Sequence, residues 1–378
     1  MSLNPSQATV YGERRACNRP AGRPSSAVSG VCQECEKVIC QLATDDSKLQ
    51  YPPHSETNHR GLTMTDSWNW NVADAIEELD TGLFLVDLGF QGRKHVVAAY
   101  LLVSDNELVL IETGPGSTIE NLRKAMRRIG FTVRDLTRVL VTHIHLDHAG
   151  AAGLLARENP GLTVHVHPFG APHLVDPTKL INSATRIYGD QMGPLWGEFA
   201  PVPEQQVIAF EDDEIMRVAG RNLQVIFTPG HAWHHVAFWD RATGTLFTGD
   251  VGGVRMPNHT YVCAPTPPPD LDPGAWANSV ARMEALGAKR LCLTHFGPVY
   301  DPGYHLSRVM PEVEGFVGLG FDLFERGAGQ PQVTQALTAK MANDLDTSDP
   351  EVLASYEMAT PAYMAAMGID RLFRKRAG

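Results

Sequence analysis

The sequence predicts an α/β protein of the α+β type, built as a four-layer αβ/βα sandwich with a helical extension at its C-terminus. Two observations support this fold class. From about residue 79 to residue 294, a half with short β-type runs and turns is followed by a helical run, and this order then repeats. Beyond residue 302, the apolar residues follow helical spacing instead.

The 378 residues fall into three predicted regions. Residues 1–63 are rich in Ser, Pro and charged residues and lack a sustained hydrophobic period, which predicts a disordered leader. Residues 64–302 form the predicted sandwich domain, and residues 303–378 form the helical extension. We expect the apolar side chains of the extension to pack on the core or on a second subunit, with a lid over a pocket as the alternative.

The individual elements follow from hydrophobic periodicity and turn residues. One helix is predicted from Ser117 to Ile129, because apolar residues recur at helical spacing and Ser117 with Glu120 forms a capping-box pattern. The other predicted elements are strands at 82–89, 96–103, 107–112, 138–142, 163–166, 214–218, 223–227, 236–239, 245–247 and 290–294, and helices at 149–157, 176–188, 271–286, 304–326, 332–343, 351–358 and 363–375.

The functional interpretation depends on the segment that follows the predicted strand 138–142. It contains four potential metal ligands within six residues, namely His143, His145, Asp147 and His148. In extended backbone the first two point the same way because the side-chain period is two, and a tighter turn can present the last two across the gap. One segment can therefore serve two neighbouring cations at the open end of a strand.

Three further ligand candidates stand just after apolar runs downstream: His231 in a TPGH motif, Asp250 in a TGD motif and His295 in an LTH motif. The order THxHxDH, TPGH, TGD and a strand-end His resembles the metallo-β-lactamase superfamily over roughly residues 79–300. The joint presence of Asp147 and His148 is more similar to its glyoxalase II branch than to the zinc β-lactamases. The resemblance also implies the superfamily's sandwich fold.

The resemblance implies a ligand set and a mechanism. His143, His145 and His231 would hold one metal, Asp147, His148 and His295 the second, and Asp250 would bridge the two. The implied cofactors are two divalent ions, zinc first, with iron or manganese as alternatives. A hydroxide shared by the ions would attack the carbonyl of an ester, thioester or lactone, with Asp147 as the catalytic residue that orients it.

Glu112 stands in the motif Glu112-Thr113-Gly114, where the superfamily usually has Asp-Thr-Gly. The resemblance implies that the acidic residue supports the loops of the metal site. The glutamate has to do so from a side chain that is one methylene longer.

Other functions remain open at the level of sequence. Persulfide dioxygenases share much of the ligand pattern, but they use one iron held by two His and one Asp to activate O₂. Phosphodiesterases and ribonucleases also occur in the superfamily. A metal-binding protein without catalysis is disfavoured, because no ligand position has been lost.

The composition limits the partners. The formal charge of −11 disfavours a phosphate-backbone partner. No run approaches the ~20 apolar residues of a transmembrane helix, and the first residues lack an apolar signal core. We therefore expect a cytoplasmic enzyme that acts on a small-molecule substrate, with no nucleic-acid or membrane partner, and a homodimer formed through the C-terminal helices is an open alternative.

The substrate pocket is predicted from the resemblance alone. His173, Arg186 and Tyr188 fall in an insertion that tends to wall the pocket in the superfamily, so they are candidates for substrate binding. The alternative is that they serve as surface or helix-packing residues.

Several histidines and cysteines have a plainer interpretation. We expect His165 and His167 to be hydrogen-bonded packing residues, and His234 and His235 to support or pack against His231. Four cysteines in the leader, Cys17, Cys32, Cys35 and Cys40, are interpreted as free thiols, with a zinc or iron–sulfur site as the alternative.

Overall fold

The computed structural model describes residues 69–377. The predicted leader and its four cysteines lie outside the described residues. The first sheet has seven strands in chain order: β1 Ile76–Asp80, β2 Leu83–Asp87, β3 Ala98–Ser104, β4 Glu107–Ile111, β5 Leu136–Leu140, β6 Thr163–Val166 and β7 Val207–Ala209. Strands β1 to β4 form an antiparallel meander, and β4 to β7 run parallel. Parallel strands need crossover connections, which the helices between β4 and β7 supply.

The second sheet has five strands: β8 Ile215–Val218, β9 Arg221–Phe227, β10 Val236–Asp240, β11 Thr245–Phe247 and β12 Arg290–Cys292. Their spatial order is β12-β11-β10-β9-β8, with β11 and β12 parallel and the other pairs antiparallel. A hairpin turn at residues 241–244 joins β10 to β11. The two strand-rich halves of the sequence therefore form separate sheets.

The two sheets pack face to face over an apolar core. Leu85 and Tyr100 from the first sheet and Val225, Phe238 and Phe247 from the second are among its buried residues. The rings of Tyr100 and Phe247 meet edge to face, with their centroids 5.3 Å apart. Because side chains alternate along each strand, the opposite faces of both sheets remain for the helices to cover.

Eleven helices lie within the described residues. They are α1 Ile119–Arg128, α2 Leu146–Ala149, α3 Ala152–Glu158, α4 Ala171–Val175, α5 Thr178–Tyr188, α6 Met192–Trp196, α7 Pro273–Glu284, α8 Pro302–Glu325, α9 Gln330–Asp344, α10 Pro350–Ala359 and α11 Ala362–Ala377. Within residues 69–377, none of them combines the length and apolar character needed to cross a bilayer.

The C-terminal helices share a core with the outer face of the second sheet. Ile226 and Leu246 of this sheet lie in one buried cluster with Phe316 of α8, Tyr356 of α10 and Ile369 of α11. The Tyr356 hydroxyl donates a hydrogen bond to the Tyr261 carbonyl at 2.7 Å. Residues 303–377 are therefore packed on the sandwich by both apolar and polar contacts.

The structure corrects several local predictions. The capping box of Ser117 and Glu120 is wrong: a 3₁₀ turn at Gly116–Thr118 precedes α1, and the Ser117 hydroxyl instead donates to the Leu195 carbonyl at 2.6 Å. The predicted helix 149–157 is two helices, and α2 begins at Leu146, so that Asp147 and His148 are helical. The sequence analysis did not predict β1 or β7, which are short or largely exposed strands.

Candidate metal centre

Loops from both sheets bring the seven predicted ligands together at one end of the sandwich. His143 follows β5 and His231 follows β9, whereas Asp250 and His295 follow the neighbouring strands β11 and β12. Two groups of donors result: His143, His145, His231 and Asp250 form the first, and Asp147, His148 and His295 form the second. Within each group the donor atoms lie within 4.8 Å of one another.

In the first group, three imidazoles direct ring nitrogens at the same point. His145 Nδ1 lies 2.9 Å from His143 Nε2 and 2.9 Å from His231 Nε2. A ring nitrogen carries at most one proton, so His145 Nδ1 can donate to only one of these two neighbours. If the three rings are neutral, at least one more of these nitrogens therefore presents a lone pair with no hydrogen-bond donor facing it. A cation bound between the rings would accept such lone pairs.

The second group leaves buried polar atoms without a hydrogen bond. His148 Nε2 and His295 Nε2 are fully buried, as is the neighbouring Asp250 Oδ1 of the first group, and none of the three has a hydrogen-bond partner within residues 69–377. Asp147 Oδ2 lies 3.2 Å from His295 Nε2 and 3.8 Å from His148 Nε2. Buried polar atoms are rarely left unsatisfied, so their convergence indicates a ligand that accepts electron pairs.

Asp250 stands between the two groups, and each of its carboxylate oxygens faces a different one. Oδ2 lies 3.3 Å from His231 Nε2, whereas Oδ1 lies 3.1 Å from His148 Nε2 and 3.5 Å from His295 Nε2. One carboxylate therefore contacts both donor groups, as a bridging ligand requires.

Backbone carbonyls orient two of the imidazoles. His231 Nδ1 lies 2.9 Å from the Pro265 carbonyl, and His295 Nδ1 lies 2.7 Å from the Val96 carbonyl. A carbonyl can only accept, so each Nδ1 carries the proton and each Nε2 presents a lone pair to the site. Outer contacts of this kind commonly fix the tautomer of a metal-ligating histidine.

Glu112 orients His148 in the same way. Its Oε1 lies 3.0 Å from His148 Nδ1 and accepts hydrogen bonds from the hydroxyls of Thr142, at 2.5 Å, and Thr294, at 3.3 Å. The residue is fully buried and reaches these partners from left-handed backbone with φ of 63°. The glutamate thus makes the supporting contacts that the resemblance implied for an aspartate.

His235 holds the loop of Asp250. Its Nε2 accepts the Asp250 backbone N–H at 3.0 Å, and its Nδ1 lies 2.7 Å from the Thr228 hydroxyl. Gly249 precedes Asp250 with φ of 50°, and a Cβ there would lie 2.4 Å from His235 Nε2. The loop therefore needs glycine at this point, both for its backbone conformation and for space.

The electrostatics of the two groups differ. Burial and the neighbouring imidazoles His148 and His145 hold the pKa of His143 well below its usual range, so this ring is neutral. Burial would also lower the pKa of His148, but the carboxylates of Asp250 and Glu112 outweigh it and raise the pKa well above the usual range. Three carboxylates, those of Asp147, Asp250 and Glu112, thus act on the His148 imidazole, and this concentration of negative charge favours a bound cation.

The seven donors fit a pair of divalent cations. The set consists of five imidazoles and two carboxylates, which suit zinc, iron or manganese. The unpartnered atoms of His148, His295 and Asp250 are the specific sign that the second group is a cation site as well as the first. All three ions accept imidazole and carboxylate ligands of this kind.

The "Metallo-beta-lactamase superfamily" sequence profile matches residues 92–295, more than half of the chain. The chain belongs to this superfamily. A metallo-β-lactamase fold-containing protein from Sulfurisphaera tokodaii, ST1585, is 27% identical over 222 residues, which cover 58% of the chain and 79% of that protein. The metallo-β-lactamase fold thus confirms the predicted fold class, with two sheets and a C-terminal helical region.

Two further comparisons bear on fold and function. The metallo-β-lactamase family protein TTHA1429 from Thermus thermophilus is similar in structure, with a TM-score of 0.56 at 21% identity over 79% of this chain and 95% of that one. A protein named atrochrysone carboxyl ACP thioesterase, from Aspergillus fumigatus, is 29% identical over 151 residues, 40% of this chain. The match spans only 38% of that fungal protein.

In this member of the superfamily, the three predicted substrate-binding residues occupy different settings. His173 on α4 is half-buried, and Arg186 on α5 is exposed. Tyr188 at the end of α5 packs edge to face on Trp196, with ring centroids 5.1 Å apart, and its hydroxyl contacts Met364 Sδ of α11 at 3.9 Å. Tyr188 therefore joins the insertion to the C-terminal helices, and the proposal that these three residues bind substrate remains a prediction.

The other histidines outside the seven are also placed. His165 lies 3.0 Å from the Thr163 hydroxyl, and His167 Nδ1 accepts the Phe169 backbone N–H at 3.1 Å, in line with the expected packing roles. The sequence analysis missed the carbonyls of Pro265 and Val96 that orient two imidazoles. No sequence signal could have found them, because every residue type carries a backbone carbonyl.

Proposed function

We propose that this protein is a metal-dependent hydrolase of thioesters, or of related esters and lactones, with a two-metal site of the glyoxalase II-like kind. The observation that carries the proposal is the position of Asp250, whose two oxygens face separate donor groups at 3.3 Å and 3.1 Å. A single-metal enzyme needs only one of the groups. Both groups have their nitrogens oriented by outer hydrogen bonds, as two working sites would require.

In the proposed site, His143, His145 and His231 would hold one cation, Asp147, His148 and His295 would hold the other, and Asp250 would contribute to both. A pair of divalent cations supplies Lewis acidity, which makes water nucleophilic at neutral pH and polarises a carbonyl. The neutral rings of His143 and His145 offer lone pairs without prior loss of a proton, because burial and neighbouring imidazoles keep their pKa values low.

Asp147 is the proposed catalytic residue that orients the nucleophile. Burial alone would raise its pKa, but His148 and His295 lower it to about 2, so its carboxylate is ionised at neutral pH. Its side chain is 21% exposed, whereas that of Asp250 is 5% exposed. Of the two carboxylates, Asp147 is therefore the one that an incoming water or substrate can reach, and it can accept a hydrogen bond from the attacking water.

A thioester is the preferred substrate class among the three carbonyl compounds. Support comes from the Aspergillus fumigatus relative, which is named a thioesterase, and from the pairing of Asp147 with His148 that suggested the glyoxalase II branch. We propose a small-molecule acyl thioester, because the chain has a formal charge of −11 and little attraction for polyanions.

The test combines metal analysis with turnover. Elemental analysis of the purified full-length chain should give two divalent metals per chain, and a panel of acyl thioesters, esters and lactones should include a substrate. Asp250→Asn should lower turnover by about 1,000-fold, since several kcal/mol of electrostatic stabilisation depend on the bridge. Asp322→Asn, at a position on α8 away from the donor groups, is the matched control and should keep wild-type turnover.

Three outcomes would contradict the proposal. One iron per chain together with oxygen uptake on glutathione persulfide would identify a persulfide dioxygenase instead. Cleavage of phosphodiesters or RNA without carbonyl hydrolysis would identify a nuclease-type member of the superfamily. Equal turnover by Asp250→Asn and Asp322→Asn would show that the bridge is not part of the reaction.

A further inference from the structure

His234 lies beside the first donor group without belonging to it. Its ring centroid is 5.8 Å from that of His145 and 6.1 Å from that of His143, and it is nearly parallel to the latter, with 18° between the ring planes. His234 is half-buried, as is His145, whereas His143 is buried.

The hydrogen bonding of His234 differs from that of the two histidines next to it in the loop. His231 is bound to a backbone carbonyl, and His235 contacts the Thr228 hydroxyl and the Asp250 N–H. His234 Nδ1, in contrast, is buried and has no hydrogen-bond partner among the described residues. Buried N–H groups without an acceptor are rarer than buried acceptors without a donor, so the favoured tautomer has its proton on Nε2.

The loop that carries His234 is fixed on both sides. The Trp233 backbone N–H donates to the Asp270 carboxylate, and His231 and His235 are held as described. Trp233 is 44% exposed. The turn thus presents a positioned imidazole and an adjacent apolar surface next to the donor groups.

An imidazole N–H can donate one hydrogen bond without giving up its proton.

We infer that His234 contacts the substrate and donates a hydrogen bond from Nε2 to the oxygen of the scissile carbonyl. The inference rests on the proposed hydrolytic function, to which it adds a specific residue. As water attacks the carbonyl carbon, negative charge develops on that oxygen, and a positioned donor in an enclosed site stabilises it. The proton stays on His234 throughout, so no acid or base is consumed at this residue.

The exposed Trp233 suggests where the acyl chain of the substrate lies. A carbonyl oxygen that is bonded to His234 places the acyl group near the neighbouring residue of the same turn. An indole ring buries apolar surface of an acyl chain well. Within the proposed thioester class, the substrate that fits this turn therefore has an apolar acyl group.

The test compares His234→Ala and His234→Gln with His259→Ala, which removes an imidazole that pairs with Asp346 at the surface. His234→Ala should lower kcat by about 100-fold and change KM little, because the bond strengthens mainly in the transition state. His234→Gln retains a side-chain N–H and should recover at least about tenfold of this loss. His259→Ala should keep wild-type kcat.

Two measurements separate substrate contact from a structural role. Elemental analysis should give the same metal content for His234→Ala and the wild type. Calorimetry with an alkylphosphonate monoester, which imitates the tetrahedral intermediate, should show about tenfold or more weaker binding to His234→Ala. A loss of metal from His234→Ala, or the absence of rescue by His234→Gln, would assign the residue a structural role and overturn the inference.

Turnover by the wild type and by His234→Ala tests the role of His234 separately from the hydrolase function. If the wild type hydrolyses a thioester and His234→Ala does so with the same kcat, the inference is wrong and the proposed function stands. If the wild type hydrolyses no thioester, ester or lactone, the proposed function is wrong, and so is the role of His234 that rests on it.

Discussion

Glu112 and His148 are joined by a buried contact in which Oε1 lies 3.0 Å from Nδ1. The contact fixes the imidazole so that its Nε2 faces Asp250 at 3.1 Å. Glu112 makes it from left-handed backbone, a conformation that costs a non-glycine residue on the order of 1 kcal/mol or more. Hydrogen bonds from the Thr142 and Thr294 hydroxyls hold the carboxylate in place and offset this cost.

Glu112→Gln is expected to weaken metal binding by the second donor group. An amide is neutral, and its NH₂ group would replace Oε2, which accepts the Thr142 backbone N–H at 3.3 Å, so the side chain binds His148 more weakly and is held less firmly than the carboxylate. Loss of such an outer contact typically lowers metal affinity by about 10-fold to 100-fold. Chelator competition followed by elemental analysis measures the affinity of each site. Glu120→Gln, at an exposed glutamate of α1, is the control, and equal metal retention by both variants would refute the role of Glu112.

Gly249→Ala is expected to disable the site, whereas Gly244→Ala is not. Both glycines have left-handed backbone, with φ of 50° and 74°, so each substitution should cost about 1 kcal/mol of stability. The new Cβ at 249 would also lie 2.4 Å from His235 Nε2, whereas at 244 it meets only the flexible side chain of Lys289. Turnover should fall by about 100-fold in Gly249→Ala alone, because the displaced loop carries Asp250. Similar kinetics for the two variants would contradict this account.

His165 is expected to make stability dependent on pH. Burial, with a smaller effect of the Arg138 charge, lowers its pKa from 6.5 to about 4. Below pH 6.5 the unfolded chain binds a proton that the folded chain does not, so the stability present above pH 6.5 is lost as the pH falls towards 4. By linkage, the lowered pKa of His165 reduces the free energy of unfolding by about 2 kcal/mol at about pH 5.

The measurement is the difference in free energy of unfolding between the wild type and His165→Gln, from urea titrations at about pH 7.5 and about pH 5. The variant should be the less stable protein at the higher pH, since the contact with Thr163 is altered. Its deficit should shrink by about 2 kcal/mol at the lower pH. Effects of metal loss at low pH are common to both proteins and cancel in the difference, so a constant deficit would rule the mechanism out.

Tyr356→Phe is expected to loosen the C-terminal helices from the sandwich. The buried Tyr356 hydroxyl donates to the Tyr261 carbonyl at 2.7 Å and accepts the Met256 N–H at 3.1 Å. Removing it leaves two buried backbone groups without a partner, at a cost of about 1–3 kcal/mol. Tyr304→Phe is the matched control, because its hydroxyl also donates to a backbone carbonyl but at an exposed position. Thermal unfolding should show a lower Tm for the first variant only.

The sequence alone determined the fold class and the set of candidate ligands. The ligand-bearing segments each stand just past an apolar β-type run, and a local pattern of period two identifies such runs without any knowledge of the fold. The same reasoning failed at Ser117, where a contact with Leu195, far away in the chain, replaced the expected cap. Local propensity does not contain such a contact.

The tertiary structure decided how the donors are arranged and supported. Only the packing of two sheets could divide the seven side chains into two groups with Asp250 between them, since the members come from loops that are far apart in the chain. It also gave Glu112 its hydrogen-bond partners and placed the Pro265 and Val96 carbonyls against two imidazoles. In the part of the chain that the structure describes, it left His234 Nδ1 buried without a hydrogen-bond partner. These relationships join atoms distant in sequence, often through backbone groups that all residues share, so no pattern along the chain records them.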